Sequence, residues 1–147
     1  MQDRLDYPRK EEWELRQQWF DEQNDLYCIG NTYFLSEQAC ALCYDVEIAF
    51  CAGAWVAVIV LAMAVIDSQL RDIELFEFKG STKKLLEELD LNDFQRLRER
   101  RNALVHVNCD NPAITMDEQT LNQEKLEEEA RNAVKLMFKA LYLTPGT

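Results

Sequence analysis

Residues 96–108, RLRERRNALVHVN, gather four arginines in six positions and then, at His106, the only histidine of the chain. An imidazole titrates near neutrality and can accept or return a proton. A guanidinium stays charged and grips a phosphate through two parallel hydrogen bonds. Arg101 and His106 thus supply a proton-transfer group and a fixed cation, which suit cleavage of RNA by its own 2′-hydroxyl. On a helix, at about 100° per residue, Phe94, Leu97, Leu104 and Val105 share one side, with Arg101 in its middle. Arg98, Asn102 and His106 form a second stripe beside it at i, i+4 and i+8. A guanidinium turned toward a core needs a counter-charge. Asp67, ending the most apolar segment, is expected to supply it, with Arg71 one turn further on as a rival for that carboxylate. For Arg96 and Arg100 the expectation is a solvated face paired with Glu99 and nearby acids.

The rest of the chain bounds what such a pair can do. Its 147 residues carry 16 Lys+Arg against 27 Asp+Glu, a net charge of −11. That balance argues against a sequence-independent grip on nucleic acid, which is built from many cationic contacts to phosphates. Any nucleic-acid contact is therefore local. Only 4 glycines and 3 prolines, with 48% apolar residues, describe a compact helical protein, expected as a single domain over 1–147. Five cysteines and an N-terminus without a secretory pattern point to a reducing cytoplasm. The pair CALC at 40–43 lacks the further ligands zinc would need, and Cys40, Cys43 and Cys51 recur at helical spacing as small core residues. No metal and no cofactor is expected.

The elements that must position the pair are helices. The segment 8–27 opens with Pro8 and places Trp13, Phe20 and Tyr27 seven apart. From Thr32 or Ser36 to about Leu75 only Gly53 interrupts the pattern, which predicts one long helix or two nearly continuous ones. Within it lie 19 uncharged residues, 48–66, just long enough to span a bilayer. Their flanks are acidic, whereas a spanning helix carries Lys and Arg on its cytoplasmic side, so the segment reads as the centre of a bundle and no membrane contact is expected. A short helix over 82–89 follows. Asn92 is placed as the N-cap of the arginine-bearing helix. Thr115 with Glu118 forms a capping box for the last helix, whose stripe is Leu121, Leu126, Ala130, Val134, Met137, Phe138 and Leu141. No strand pattern is present.

RNALVH at 101–106 fits the Rx4-6H motif of HEPN domains, including the polar residue that often follows the arginine. AVIVLAMAVIDSQL resembles the second helix of that family, and LEEEARNAVKLMFKALY its last. The resemblance covers most of the chain, and its specificity lies in the order of the elements, since Arg and His five apart is by itself a frequent pattern. It implies an all-α bundle of four or five helices with a long apolar central helix. It also implies a homodimer that sets two motif helices around a composite cleft, and a metal-independent endoribonuclease of a defence or toxin–antitoxin system. Carried over, Arg101 and His106 are the catalytic pair and Asn102 and Asp67 the supporting residues; Arg98, on the stripe with Asn102 and His106, is the candidate RNA contact. The chain departs from the toxin branch whose motif continues His-x-Tyr, since Val107 and Asn108 follow His106. Control by nucleotidyl modification of that tyrosine is not expected. The expected partners are RNA, such as a tRNA anticodon loop, and a cognate antitoxin or regulatory protein. The competing expectation is a non-catalytic HEPN-like interaction module that uses the same helix as a dimer seam or to bind a protein or nucleotide.

Overall fold

The computed structural model describes residues 6–30, 32–75, 78–88 and 91–143. Among these residues there are seven α-helices: α1 Lys10–Tyr27, α2 Glu37–Ala52, α3 Trp55–Gln69, α4 Thr82–Glu88, α5 Gln95–Val105, α6 Met116–Leu121 and α7 Gln123–Leu141. A π-helical turn, Leu70–Glu74, extends α3, and a 3-10 turn, Asn92–Phe94, leads into α5. The all-α expectation holds among the described residues. Leu89, placed at the end of the short helix, lies outside them.

Local chemistry sets the helix ends. Ser36 caps α2 by accepting a hydrogen bond from the Ala39 amide at 3.2 Å. Gly53 ends it in the left-handed conformation, φ +78°, where an L side chain is strained. The Arg16 guanidinium on α1 donates to the Cys51 carbonyl at 3.0 Å and lies over the Trp55 ring, closing the same corner. Two expectations shift here. Thr115 does cap a helix, its hydroxyl accepting from the Glu118 amide at 3.2 Å, but that helix is the short α6, which stops at Asn122 before α7 begins. Asn92 starts the 3-10 turn instead of capping the motif helix, and the residue preceding α5 is Phe94.

Gly53 also splits the apolar segment 48–66, so the expected long central helix is shared between the end of α2 and α3. The 15 residues of α3 rise about 22 Å, short of the ~30 Å of a hydrocarbon core. Among the described residues no helix is long and apolar enough to cross a membrane. Instead α3 packs chiefly against α2 and α7, and also against α5. It buries Val58, Ile59, Ala62, Met63, Val65 and Ile66 on all sides; each large side chain so buried contributes about 1.5–3 kcal/mol. The α7 stripe is buried as expected from Leu126 to Leu141, while Leu121, on α6, is exposed. Phe20 of α1 meets Phe138 edge-on at 5.0 Å, and Trp19 stacks on Phe50 at 5.0 Å, which docks α1 on α2 and α7.

At the far end of α3 the buried Gln69 amide replaces missing backbone pairing. It accepts from the Ser36 amide at 2.8 Å and donates to the Phe34 carbonyl at 2.9 Å. The segment leading into α2 is thereby pinned to α3.

Candidate active site at the end of α5

Helix α5 points its first apolar residues inward and releases the last. Phe94 and Leu97 are buried, Leu104 is half-buried and Val105 is about half exposed, at 49%. Arg101, on that seam, is half-buried, so the solvent takes the part of its charge that the core would not tolerate. Its Nε donates to Asn102 Oδ1 at 2.8 Å, and among the described residues it forms no ion pair. Asn102 also accepts the His106 backbone amide on its carbonyl, at 3.0 Å. One asparagine therefore orients the guanidinium with its side chain and anchors the histidine with its backbone.

His106 is not on the helix. Its backbone is extended, φ −115° and ψ 126°, and it is the residue that ends α5, so the expected stripe Arg98, Asn102, His106 breaks at its last member. The cause follows two residues later. Asn108 Oδ1 accepts from the Asp110 and Asn111 amides at 3.2 and 3.3 Å, a side-chain turn that competes with helical hydrogen bonding, and Pro112 excludes a return to it. The imidazole is left exposed at a depression of about 250 Å³ lined by Leu104, Val105, His106, Asn108, Pro112 and Ile114. Arg101 and Asn102 do not line it within one chain.

Asp67 is not the counter-charge of Arg101. Both its oxygens accept from Arg71 Nε, at 3.0 and 3.1 Å, and Oδ1 also accepts from the Thr82 hydroxyl at 3.0 Å. An acid four residues before an arginine on one helix needs no tertiary arrangement to pair, and Thr82 at the start of α4 completes it. The rival partner wins, and Asp67 ties α3 to α4 instead of serving the motif.

Arg100 departs from its expected solvated face. Its Nη1 donates to the Ala113 carbonyl at 2.9 Å and its Nη2 to Glu129 Oε2 at 3.3 Å. Its Nε lies 3.1 Å from Glu129 Oε1, close enough to attract though angled away from a hydrogen bond. This arginine straps the loop that carries His106 to both α5 and α7. Arg96 is exposed and Arg98 half-buried; like Arg101, both are without an ion pair among the described residues. Three arginines thus remain available on a chain of net charge −11.

The cysteines divide by place. Cys51 is buried as expected and Cys109 is exposed, while Cys40 and Cys43 border a cavity and are half-buried. Burial pushes the Cys43 thiol up to about 12, with Cys40 and Glu47 adding to it, so it stays protonated and inert near neutrality. Among the described residues no three His, Cys, Asp or Glu side chains are arranged to hold a metal ion.

Compared with family models, curated proteins and solved structures, the chain matches none.

Proposed function

We propose that the chain is a HEPN-type endoribonuclease that cuts RNA without a metal ion, as a homodimer, in a defence or toxin–antitoxin system. The observation that supports this reading lies along α5. Arg96, Arg98 and Arg101 carry no ion pair among the described residues, and five residues beyond Arg101, past the end of the helix, the only imidazole of the chain stands exposed at a depression. In an acidic protein, cations without a carboxylate partner on the helix that leads to a proton-transfer group are an arrangement suited to a phosphodiester.

In the reaction, His106 takes the proton of a ribose 2′-hydroxyl as its oxygen bonds to phosphorus. The bond to the 5′-oxygen breaks, and that oxygen leaves with a proton from a protonated imidazole, the second copy of His106 in the dimer. Arg101, oriented by Asn102, holds the non-bridging oxygens on which charge accumulates. Arg98 meets a neighbouring phosphate. A cognate antitoxin or regulatory protein is the expected brake on such an activity.

Purified protein incubated with tRNA in EDTA should yield fragments ending in a 2′,3′-cyclic phosphate and a 5′-hydroxyl, and should sediment as a dimer. Intact RNA after incubation, or 3′-hydroxyl ends, would overturn the proposal.

One observation favours the second reading, a non-catalytic interaction module. Val105 and Val107, the chain neighbours of His106, are exposed and line the same depression. Exposed apolar residues near a polar site are what a docking surface offers.

A further inference from the structure

A second cavity lies far from α5 in chain order, between α1, α2 and α7, with a volume of about 210 Å³. Its floor is aromatic. Phe20 and Phe138 meet edge-on at 5.0 Å, and Phe138 stacks with Tyr142 at 6.4 Å and an interplanar angle of 4°. Its rim is acidic: Asp21 of α1 and Glu47 of α2 both line it, no lysine or arginine does, and neither carboxylate has an ion pair among the described residues. The Tyr142 hydroxyl donates to Asn24 Oδ1, so the polar groups nearest the rings are already paired with each other and present no cation.

We propose that this cavity binds a small organic ammonium ion with an apolar body, its carbon skeleton on the rings of Phe20, Phe138 and Tyr142 and its nitrogen between Asp21 and Glu47. An apolar body leaves water for the aromatic lining, and an ammonium can donate to two carboxylates at once. The electrostatics of the lining agree with this complementarity. Burial pushes the Glu47 carboxyl up, and the Asp21 charge adds to the shift, so negative charge at the rim is uncompensated. The Tyr142 phenol is pushed up to about 12, by burial first and then by the neighbouring thiols Cys28, Cys43 and Cys40. Tyr142 and the thiols are therefore neutral near pH 7, and the negative charge at the cavity is that of Asp21 and Glu47, which a cation offsets and an anion or a neutral guest of the same shape does not. The site is independent of the RNA-cleavage reading.

Two probes of similar shape, benzylammonium chloride and benzyl alcohol, test it by NMR titration of the amides of the full chain. Saturable shifts centred on Asn24, Cys43 and Glu47 are expected with benzylammonium, with affinity roughly tenfold or more above that for the alcohol, as a charged hydrogen bond should add. Glu47→Gln, which keeps the shape of the side chain, should weaken benzylammonium roughly tenfold and leave the alcohol unchanged, while Arg96→Gln, remote from the cavity, should change neither. Equal affinity for the two probes, or no saturable shifts at millimolar benzylammonium, would overturn the proposal. So would a Glu47→Gln variant that folds as the wild type, by circular dichroism, and binds benzylammonium as tightly.

Discussion

Arg101 and His106 meet through Asn102, whose side chain holds one and whose carbonyl anchors the other. Because Arg101 is bound to a neutral amide and not to a buried acid, Arg101→Ala leaves no charge stranded, and its effect on unfolding by urea should stay within about 0.5 kcal/mol. Asp67→Ala is the contrasting case. It strips Arg71 and Thr82 of their shared acceptor and should cost roughly 1–3 kcal/mol, reduced by the partial exposure of the pair. If the two costs were reversed, the pairing described here would be wrong. Arg101, Asn102 and His106 could be picked out of the sequence as candidates because their types and spacing are local. The partner of Asp67 was not, because a choice between Arg71 on its own helix and Arg101 on another depends on how α3 and α5 are placed, which no spacing encodes.

At the scale of elements, the site is a helix that ends and a loop that is held. The helix breaks were partly legible: Ser36 and Gly53 announce a cap and a left-handed residue, and both act as such. The end of α5 was less so, because Val105 and Val107 prolong an apolar pattern that Asn108 interrupts only through its side-chain turn. Nor did the pattern reveal the strap, since Glu129 and Ala113 lie 29 and 13 residues from Arg100 and read as ordinary surface. Arg100→Ala should leave the Glu129 carboxylate and the Ala113 carbonyl without this donor. We expect a loss of about 1–3 kcal/mol in stability and faster amide hydrogen exchange across 106–114 than in α3. Exchange unchanged in that loop would show that the strap does not order it.

The chain as a whole is acidic, at a net charge of −11, and Cys43 and Tyr142 sit where burial holds them protonated. Cys43 and Tyr142 both stand at about 12 in the fold, with burial the leading cause, and the ordinary thiol value is near 9. Folding therefore raises the Cys43 value, so the folded state keeps a proton that the unfolded chain loses. The stability tied to that proton is complete below about pH 9 and falls as the pH rises toward 12. Thermal melts across this window should show a progressive drop that Cys43→Ala lessens, and identical pH dependence of the two proteins would contradict the burial of that thiol. We propose that His106 is the proton-transfer group of a catalytic centre at the end of α5. It is tested most directly by the rate of RNA cleavage in EDTA by wild type and by His106→Ala, each first shown to have the same helical content and oligomeric state. The account predicts a loss of roughly 100-fold or more, typical of removing a general acid–base. Equal rates for the two proteins would contradict it.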